Sequence, residues 1–446
     1  MIEYKIEQPD LSKISYERKS FLNQQENKIY FKNNLEKYSD EKYLFWDKIK
    51  FQKLPEELES YEELWYIISN IRYYRLIYNM PIKNKFWQVF WLIKPKFLEE
   101  LLHKLDLSLW WTFLWINFND SERKIFMQNA ITEEAISTSQ LEWALTSSKD
   151  ARDMIAKWRK AITKDEKMIL NSYKAMNFLK TDDFLNQKLS LNSLLELQSI
   201  LTKDTLENNN QEWRFRKDND EIVIQNSQWT KIYHIPPDEK ILEKELNNFL
   251  IYANDEDWKF THPFIKATIL HFWIWYLHPF CDWNWRTARA IFYWYLLKKW
   301  YWGFSYIPIS SVIKNSKIAY RDAYIYSEQD NNDLTYFLVY IANKTKLAFV
   351  EFEKYVTEKR NKQKESFNEL SYLFLNDRQN KLLSYFLENP KSYTNNSIHK
   401  NYYWISINTA KSDLEELITK WFLKKEKHWK YVNYYPLENL KDLIIK

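Results

Sequence analysis

Residues 278–289 carry the densest set of reactive side chains, reading His-Pro-Phe-Cys-Asp-Trp-Asn-Trp-Arg-Thr-Ala-Arg. His278 can accept a proton from a hydroxyl group, and Asp282 offers the hard oxygen ligand that Mg²⁺ prefers. Arg286 begins the helix predicted after this loop and Arg289 follows one turn later, so both guanidinium groups face the same end of that helix. Cations in the first turn oppose the helix dipole, and two of them therefore indicate a bound polyphosphate.

Trp283 and Trp285 flank Asn284 in this loop, where a phosphate-cradling backbone would need small residues. Successive N–H groups form an anion-binding nest only in conformations that glycine tolerates best. The two indoles would also fill the volume meant for the phosphates. As written, the loop is therefore predicted to be catalytically inactive, although its helices would still form.

The same anomaly extends along the chain, which has one glycine and 22 tryptophans in 446 residues. Average usage would give on the order of thirty glycines. Many tryptophans lie just past predicted helices or at predicted hairpin tips, where glycine is typical. They include Trp229, Trp300, Trp404, Trp421 and Trp429.

Three explanations compete for this pattern. A membrane-interface protein would gather its aromatic residues in belts, and a stacking surface would gather them on one face, whereas these are scattered over turns. The third explanation is that UGA, which some bacterial lineages read as glycine, has been translated as tryptophan. We favour the third. Helical or apolar surroundings nevertheless indicate true tryptophan at Trp46, Trp273 and Trp294.

With glycine at 283 and 285, residues 278–289 resemble the HxFx(D/E)GNGRxxR motif of the Fic (Fido) family, and the resemblance extends over roughly residues 120–350. It implies a protein adenylyltransferase, in which a Ser, Thr or Tyr hydroxyl of a target protein attacks the α-phosphorus of ATP. His278 would be catalytic, and Asp282 would also bind Mg²⁺. The implied nucleotide-binding residues are Asp282, Trp283, Asn284, Trp285, Arg286 and Arg289.

A second segment, residues 138–143, resembles the (S/T)xxxE(G/N) inhibitory helix that precedes some Fic domains, if Trp143 stands for glycine. In that arrangement the glutamate pairs with the second motif arginine, here Arg289, and denies the γ-phosphate its cation. The resemblance implies Thr138 and Glu142 as inhibitory residues. The alternative for Glu142 is an ordinary acid on a helix surface.

Residues 213–235 have the pattern of a small β-hairpin. In the Fic family a flap of this kind holds a target segment in extended form by strand addition, so that its hydroxyl reaches the catalytic histidine. The resemblance implies Val223 and Ile224 as target-docking residues.

Composition restricts the class of protein. The net charge of +5 is too small to indicate nucleic acid by itself, and the single cysteine, Cys281, excludes a disulfide framework. The N-terminus has no apolar stretch that resembles a signal peptide. The longest apolar run that could suggest a membrane helix, 109–116, is far shorter than the ~20 residues that a spanning helix needs. We expect a cytoplasmic protein without membrane association, and a homodimer stays open.

Helical periodicity dominates the chain and predicts a mainly α protein with a Fic-type helical core. We divide it into an N-terminal helical extension (1–119), a Fic core with inhibitory helix and flap (120–356), a polar linker (357–374) and a C-terminal domain (375–446). The last segment has three helices and then two short strands, the order of a winged helix.

The predicted winged helix introduces a second class of function. Residues 391–446 hold ten lysines and six acidic residues, and so account for +4 of the chain's net charge of +5. Its third helix offers groups that suit a DNA major groove, but it also carries three acids. These are Asn408, Thr409, Lys411 and Ser412, and then Asp413, Glu415 and Glu416. Two functions stay open: an autoinhibited AMP transferase, and a DNA-binding regulator whose Fic core modifies itself, senses nucleotide or is inactive as written.

Overall fold

The computed structural model describes residues 2–76, 78–107, 120–157, 159–226, 228, 230–257, 259–370, 375–428 and 431–445. These residues are mainly helical, as predicted, and belong to two compact units. The first unit holds residues 1–116 and 129–348, and the second holds residues 117–128 and 349–446. No helix within the described ranges is long and apolar enough to cross a membrane.

The first unit begins with a short strand, four helices and a hairpin. They are β1 (Ile2–Glu3), α1 (Tyr16–Lys32), α2 (Trp46–Ile49), α3 (Tyr61–Tyr74), β2 (Tyr78–Lys83), β3 (Val89–Leu92) and α4 (Lys96–Leu107). Helix α1 starts where the Ser15 hydroxyl accepts a hydrogen bond from the Arg18 amide at 3.2 Å, an N-cap that satisfies one of the unpaired donors of the first turn. Buried apolar residues such as Leu22 and Leu64 belong to the cluster that fills this part of the unit.

The hairpin β2–β3 is a feature that the sequence pattern does not predict, since helical periodicity covers 56–78 and 92–105 and no strand is predicted between them. Its turn passes through Trp87, whose φ of 64° is left-handed. Glycine is typical at such a position, and a tryptophan there gives no sign of a turn in the sequence. Strand β3 is also held from far away, because the Trp91 amide donates to the Asn332 carbonyl at 3.1 Å. A contact so distant along the chain leaves no local signal.

Ten further helices follow along the described chain up to residue 329, and the first of them begins within residues 117–128 of the second unit and continues into the first. They are α5 (Asp120–Leu141), α6 (Ser148–Ala156), α7 (Lys164–Phe178), α8 (Asp182–Asn186), α9 (Leu191–Thr202), α10 (Glu239–Ala253), α11 (Pro263–Leu277), α12 (Asn284–Lys298), α13 (Ile309–Ile313) and α14 (Lys317–Gln329). Every residue of α11 from Phe264 to Leu277 is buried, which explains its almost continuous apolar sequence. Pro263 occupies its first turn, where a missing N–H costs nothing. Helices α11 and α12 pack together and present residues 278–283 as their connection.

The flap is a three-stranded sheet, one strand more than the predicted hairpin. Strands β4 (Ile224–Gln225) and β5 (Lys231–His234) are antiparallel, and β1 pairs in parallel with the other side of β5. The Tyr4 amide extends this pairing by donating to the Ile232 carbonyl at 2.7 Å. Because an isolated two-stranded hairpin is marginally stable, the third strand supports the flap.

Helix α15 (Thr335–Leu370) is continuous through residues 357–370, most of the segment predicted as a linker. That segment is polar, but Lys, Glu, Gln and Arg are strong helix formers, so its composition suits an exposed helix as well as a linker. The domain boundaries otherwise stay predictions.

The second unit contains four further helices and a hairpin: α16 (Asp377–Glu388), α17 (Asn396–Tyr403), α18 (Ile407–Thr419), β6 (Leu423–His428), β7 (Tyr431–Pro436) and α19 (Leu440–Ile445). Residues such as Leu383, Phe386 and Leu414 form its apolar core. This agrees with the predicted order of three helices and two strands, and the assignment as a winged helix stays a prediction.

Candidate active site

His278 ends helix α11 with a left-handed backbone (φ 46°), and only 7% of its surface is exposed. Its Nδ1 lies 3.2 Å from the carbonyl oxygen of Trp275. A carbonyl can only accept, so Nδ1 carries the proton and Nε2 is the basic nitrogen. Burial, assisted by the nearby His234 and Arg216, lowers the pKa of His278 to about 3. His278 is therefore neutral at pH 7 and able to accept a proton at Nε2.

Two buried amides fix the shape of the loop after His278. Asn284 accepts from the Phe280 amide at 2.9 Å and donates to the Phe280 carbonyl at 2.8 Å, which closes the loop on itself. Gln198, on α9, donates to the carbonyl of Asp282 at 2.7 Å. Asn284 was predicted as a site residue, whereas Gln198 was not, because its role depends on a backbone atom that no sequence pattern identifies.

Arg216 holds the other end of the loop. Its Nε donates to the carbonyl of His278 at 2.7 Å, and its Nη2 donates to the carbonyls of Pro237 and Leu277 at 2.5 and 3.1 Å. Burial lowers the pKa of Arg216. Arg216 lies within the segment predicted as a hairpin, and the residue pattern gives no sign of its contact with His278.

Arg286 lies in the first turn of α12 and is 1% exposed. Its Nη1 donates to the Met168 carbonyl at 3.3 Å, while Nε and Nη2 have no hydrogen-bond partner in the described part of the chain. Burial lowers the pKa of Arg286 to about 9. Buried guanidinium donors without partners are the groups that an anionic ligand would satisfy.

The two loop tryptophans occupy space beside these groups. Trp283 has a left-handed backbone (φ 62°), and its ring centroid lies 3.8 Å from Cζ of Arg286, over the guanidinium face. Trp285 lies within α12, and its ring packs against Tyr320 and Tyr324 at 5.2 and 5.0 Å. Asp282 is exposed and accepts from the Trp283 amide at 2.7 Å. The indole of Trp283 thus covers the arginine that the sequence predicts as a phosphate ligand.

Arg289, one turn further along α12, contacts both residues predicted as inhibitory. Its Nε donates to the Thr138 hydroxyl at 2.7 Å, and its Nη2 donates to the Glu142 carboxylate at 2.9 Å. Burial opposes the charge of Arg289, but Tyr320 and Glu142 hold its pKa above the ordinary value. Helix α5 ends at Leu141, so Glu142 reaches Arg289 from the end of the helix.

Glu134 is a buried acid on α5 that was not among the predicted site residues. Its carboxylate accepts from the Tyr293 hydroxyl at 2.8 Å, from the Ser310 amide at 2.9 Å, and from the Ser310 hydroxyl. Burial raises the pKa of Glu134. These contacts fasten α5 to α12 and α13 two helical turns before Glu142, the residue that reaches the motif arginine.

The predicted docking residues lie on the outer strand of the flap. Ile224 belongs to β4, Val223 precedes it, and both are half-buried. Strand β5 lies between β1 and β4, so among the described strands β4 has the unpaired edge on this side of the sheet.

Comparison with known proteins agrees with this geometry. Residues 188–296 match the model of the Fic/DOC family, a range that includes the loop, both motif arginines and strands β4 and β5 of the flap. This segment is therefore similar to a Fic domain. A stretch of 58 residues is 40% identical to the protein adenylyltransferase Fic of Nematostella vectensis, which is 13% of this chain and only 14% of that relative.

Solved Fic structures are also similar to this chain. A Fic family protein from Desulfovibrio desulfuricans G20 has 13% sequence identity and a TM-score of 0.49, over 76% of this chain and 96% of the other. Fic-1 from C. elegans, residues 134–508, has 16% identity and a TM-score of 0.44, over 58% of this chain and 71% of the other. The family match includes His278 and Arg289 and leaves out Thr138, Glu142 and the second unit.

Proposed function

We propose that this Fic domain, with glycine at positions 283 and 285, transfers AMP from ATP to a Ser, Thr or Tyr hydroxyl of a protein. The observation that supports it most is the buried Arg286, whose Nε and Nη2 have no partner among the described residues. A guanidinium with unsatisfied donors at a helix N-terminus fits a polyphosphate. The neutral His278 at the other end of the same loop fits a general base.

The proposed reaction is a single displacement. The target hydroxyl oxygen bonds to the α-phosphorus of ATP, the bond from that phosphorus to the bridging oxygen breaks, and pyrophosphate leaves. The hydroxyl proton passes to Nε2 of His278. Arg286 would bind phosphate oxygens, and Asp282 would hold Mg²⁺, which supplies charge neutralisation when bound. The described residues contain no cluster of three metal-ligating side chains, which suits an ion bound by one carboxylate and by the nucleotide's phosphates.

We also propose that Glu142 inhibits this reaction. Its 2.9 Å contact with Arg289 occupies the cation that a γ-phosphate would need, and Thr138 holds the same guanidinium in place. Competition between a carboxylate and a phosphate for one arginine is a direct electrostatic switch. The Glu134 contacts do not involve Glu142, so they should keep α5 in place when the Glu142 side chain is removed. A change in activity on that removal would then report the contact between Glu142 and Arg289.

Our third proposal concerns the tryptophans at helix ends and turns. Seven described tryptophans have φ between 54° and 68°, a region that bulky residues avoid. They are Trp87, Trp143, Trp213, Trp283, Trp300, Trp404 and Trp421. Trp229 and Trp429 lie outside the described residues. We infer that these seven stand for glycine, so the gene should carry TGA at codon 283 but TGG at codons 46 and 273. Trp285 lies inside α12, and for codon 285 the resemblance to the family motif alone predicts TGA.

The test of AMP transfer uses full-length protein with glycine at 283 and 285, Mg²⁺ and ATP labelled at the α-phosphate. We expect label on the protein itself or on an added partner, and more label in Glu142→Gly. The chain with tryptophan at both positions and the His278→Ala variant are matched controls that should stay unlabelled. Absence of label even in Glu142→Gly would reject the transferase.

One observation favours DNA binding as a second function. The three acids on α18 are engaged elsewhere: Asp413 is buried and accepts from Arg378 at 2.7 Å, Glu415 accepts from Lys425 at 3.1 Å, and Glu416 accepts from Gln379 at 2.8 Å. Asn408, Lys411 and Ser412 are exposed. We propose that this exposed face of α18 contacts DNA, with Lys411 as a phosphate ligand.

Fluorescence anisotropy with a labelled duplex tests this second function. We expect binding at 50 mM salt that weakens as salt rises, and a loss on the order of tenfold in Lys411→Glu. Lys391→Glu, an exposed lysine before α17, is the matched charge control. Equal loss in both variants would indicate general attraction by charge, and no binding at low salt would reject the function.

A further inference from the structure

His234 is a buried histidine that connects three elements around the candidate site. It ends strand β5 of the flap, and only 3% of its surface is exposed. Its Nδ1 lies 2.8 Å from a carboxylate oxygen of Glu328, at the end of α14. Its Nε2 lies 2.8 Å from the carbonyl oxygen of Tyr276, in the last turn of α11. One imidazole ring therefore joins the flap to the helix that presents His278.

The partners of this ring determine its protonation. A backbone carbonyl can only accept a hydrogen bond, so Nε2 carries a proton. An ionised carboxylate can only accept as well, so the 2.8 Å contact with Glu328 places a proton on Nδ1 too. The Glu328 side chain is only 18% exposed, which keeps the pair largely shielded from water. The geometry describes an imidazolium paired with a carboxylate.

We propose that His234 is a positioning residue: as a doubly protonated imidazolium, it fastens the target-docking flap to the end of the helix that carries His278. The inference rests on the proposed function, since the flap matters only if a target hydroxyl must reach His278. Ile224, on the docking strand, lies opposite His234 in the β4–β5 pairing. Tyr276 lies two residues before His278, so the docking strand and the base share one anchor.

The charges around the two histidines agree with this arrangement. His278 is faced by His234 from β5, by Arg216 from the segment before the flap, and by the Trp275 carbonyl from α11. His234 is faced by Glu328 from α14. The positive charges of His234 and Arg216 disfavour a further positive charge on His278, and together with burial they keep His278 neutral. A charged His234 therefore favours the base form of its neighbour.

The protonation state is measured directly by NMR of the ring nitrogens in histidine-labelled, full-length protein with glycine at 283 and 285. At pH 7.5 we expect both nitrogens of His234 to carry protons, and only one to do so in Glu328→Gln. His399→Gln, a buried histidine of the second unit, is the control and should leave the His234 signals unchanged. A bare ring nitrogen in the parent protein would overturn the proposal. The measurement needs no nucleotide, so a doubly protonated His234 in a chain that transfers no AMP would reject the proposed function alone.

The positioning role is tested with His234→Gln, which keeps a donor for the Tyr276 carbonyl and removes the charge. We expect faster hydrogen exchange in the flap and AMP transfer reduced about tenfold or more, since small misplacements of reacting groups are costly. ATP affinity should stay within about threefold, because the phosphate-binding arginines are untouched. Glu328→Gln, whose partner stays in place, should show the same pattern if the first variant folds poorly. Unchanged exchange and transfer in both variants would overturn the role.

Discussion

Tryptophans in two regions of this molecule behave as if they were different residues. In the packed helices, Trp273 and Trp294 are fully buried, and Trp46 is 5% exposed and donates its indole N–H to Glu7 at 3.3 Å. At helix ends, Trp300 and Trp421 are 68% and 75% exposed and have left-handed backbones. The first group contributes buried apolar area, and the second exposes its rings to water.

The difference shows where the residue type and the fold agree. A buried indole removes a large apolar surface from water, which is the main source of folding free energy. A left-handed backbone costs a side-chain-bearing residue roughly 1–2 kcal/mol, and an exposed ring gives little in return. Glycine would carry no such cost at the helix ends, but it would leave cavities in the helices. One substitution, Trp→Gly, should therefore have opposite effects in the two regions.

The largest effect is expected in the core. Trp273→Gly should lower the free energy of unfolding by about 4–6 kcal/mol, because it creates a cavity and places glycine inside a helix. Urea unfolding of the full chain measures the change. Trp273→Phe keeps most of the ring volume and should lose less than half as much. A small loss in Trp273→Gly would mean that the core tolerates glycine as the helix ends do. The two regions would then not differ in their response to Trp→Gly.

A smaller effect of opposite sign is expected at the helix ends. Trp421 follows α18 with φ 60°, so Trp421→Gly should raise the free energy of unfolding by about 1 kcal/mol, the relieved strain less the extra freedom of the unfolded chain. Lys420→Gly is the matched control, because its φ of −88° needs no glycine. That control should lose about 0.5–1 kcal/mol. The neighbours Lys299 and Trp300 allow the same test in the first unit, and equal signs within either pair would contradict the comparison.

These positions also explain what sequence reasoning could and could not reach. The loop 278–289 and the helix ends were predictable, because residue types and spacing mark them even with tryptophan in place of the expected glycine. The hairpin β2–β3 was missed because Trp87 hides its turn and Asn332, far along the chain, holds its strand. Gln198 and Arg216 act on backbone carbonyls of the loop, and no local pattern records such contacts.

His278 has a left-handed backbone, like the helix-end tryptophans, but it is buried, like the core tryptophans. The pH dependence of the unfolding free energy reports the burial of His278 separately from its backbone conformation. Burial holds its pKa at about 3, whereas an unfolded histidine titrates near 6.5. Between pH 6.5 and 3 the unfolded chain therefore binds a proton at this histidine, whereas the folded chain does not. The contribution of His278 to the free energy of unfolding is complete above pH 6.5 and is lost as the pH falls toward 3.

The prediction from this sign is a difference between variants, since other groups titrate in the same range. Relative to the parent, His278→Asn, which tolerates the backbone, should reduce the fall in unfolding free energy by up to about 1.4 kcal/mol per pH unit between pH 6 and 4. Asp333→Asn is the control of opposite sign. Burial raises the pKa of Asp333 to about 7, so as the pH falls the folded chain binds this proton before the unfolded chain does. Urea unfolding at several pH values measures both slopes. Parallel slopes for the parent and His278→Asn would mean that His278 is solvated, and its burial as a neutral base would have to be abandoned.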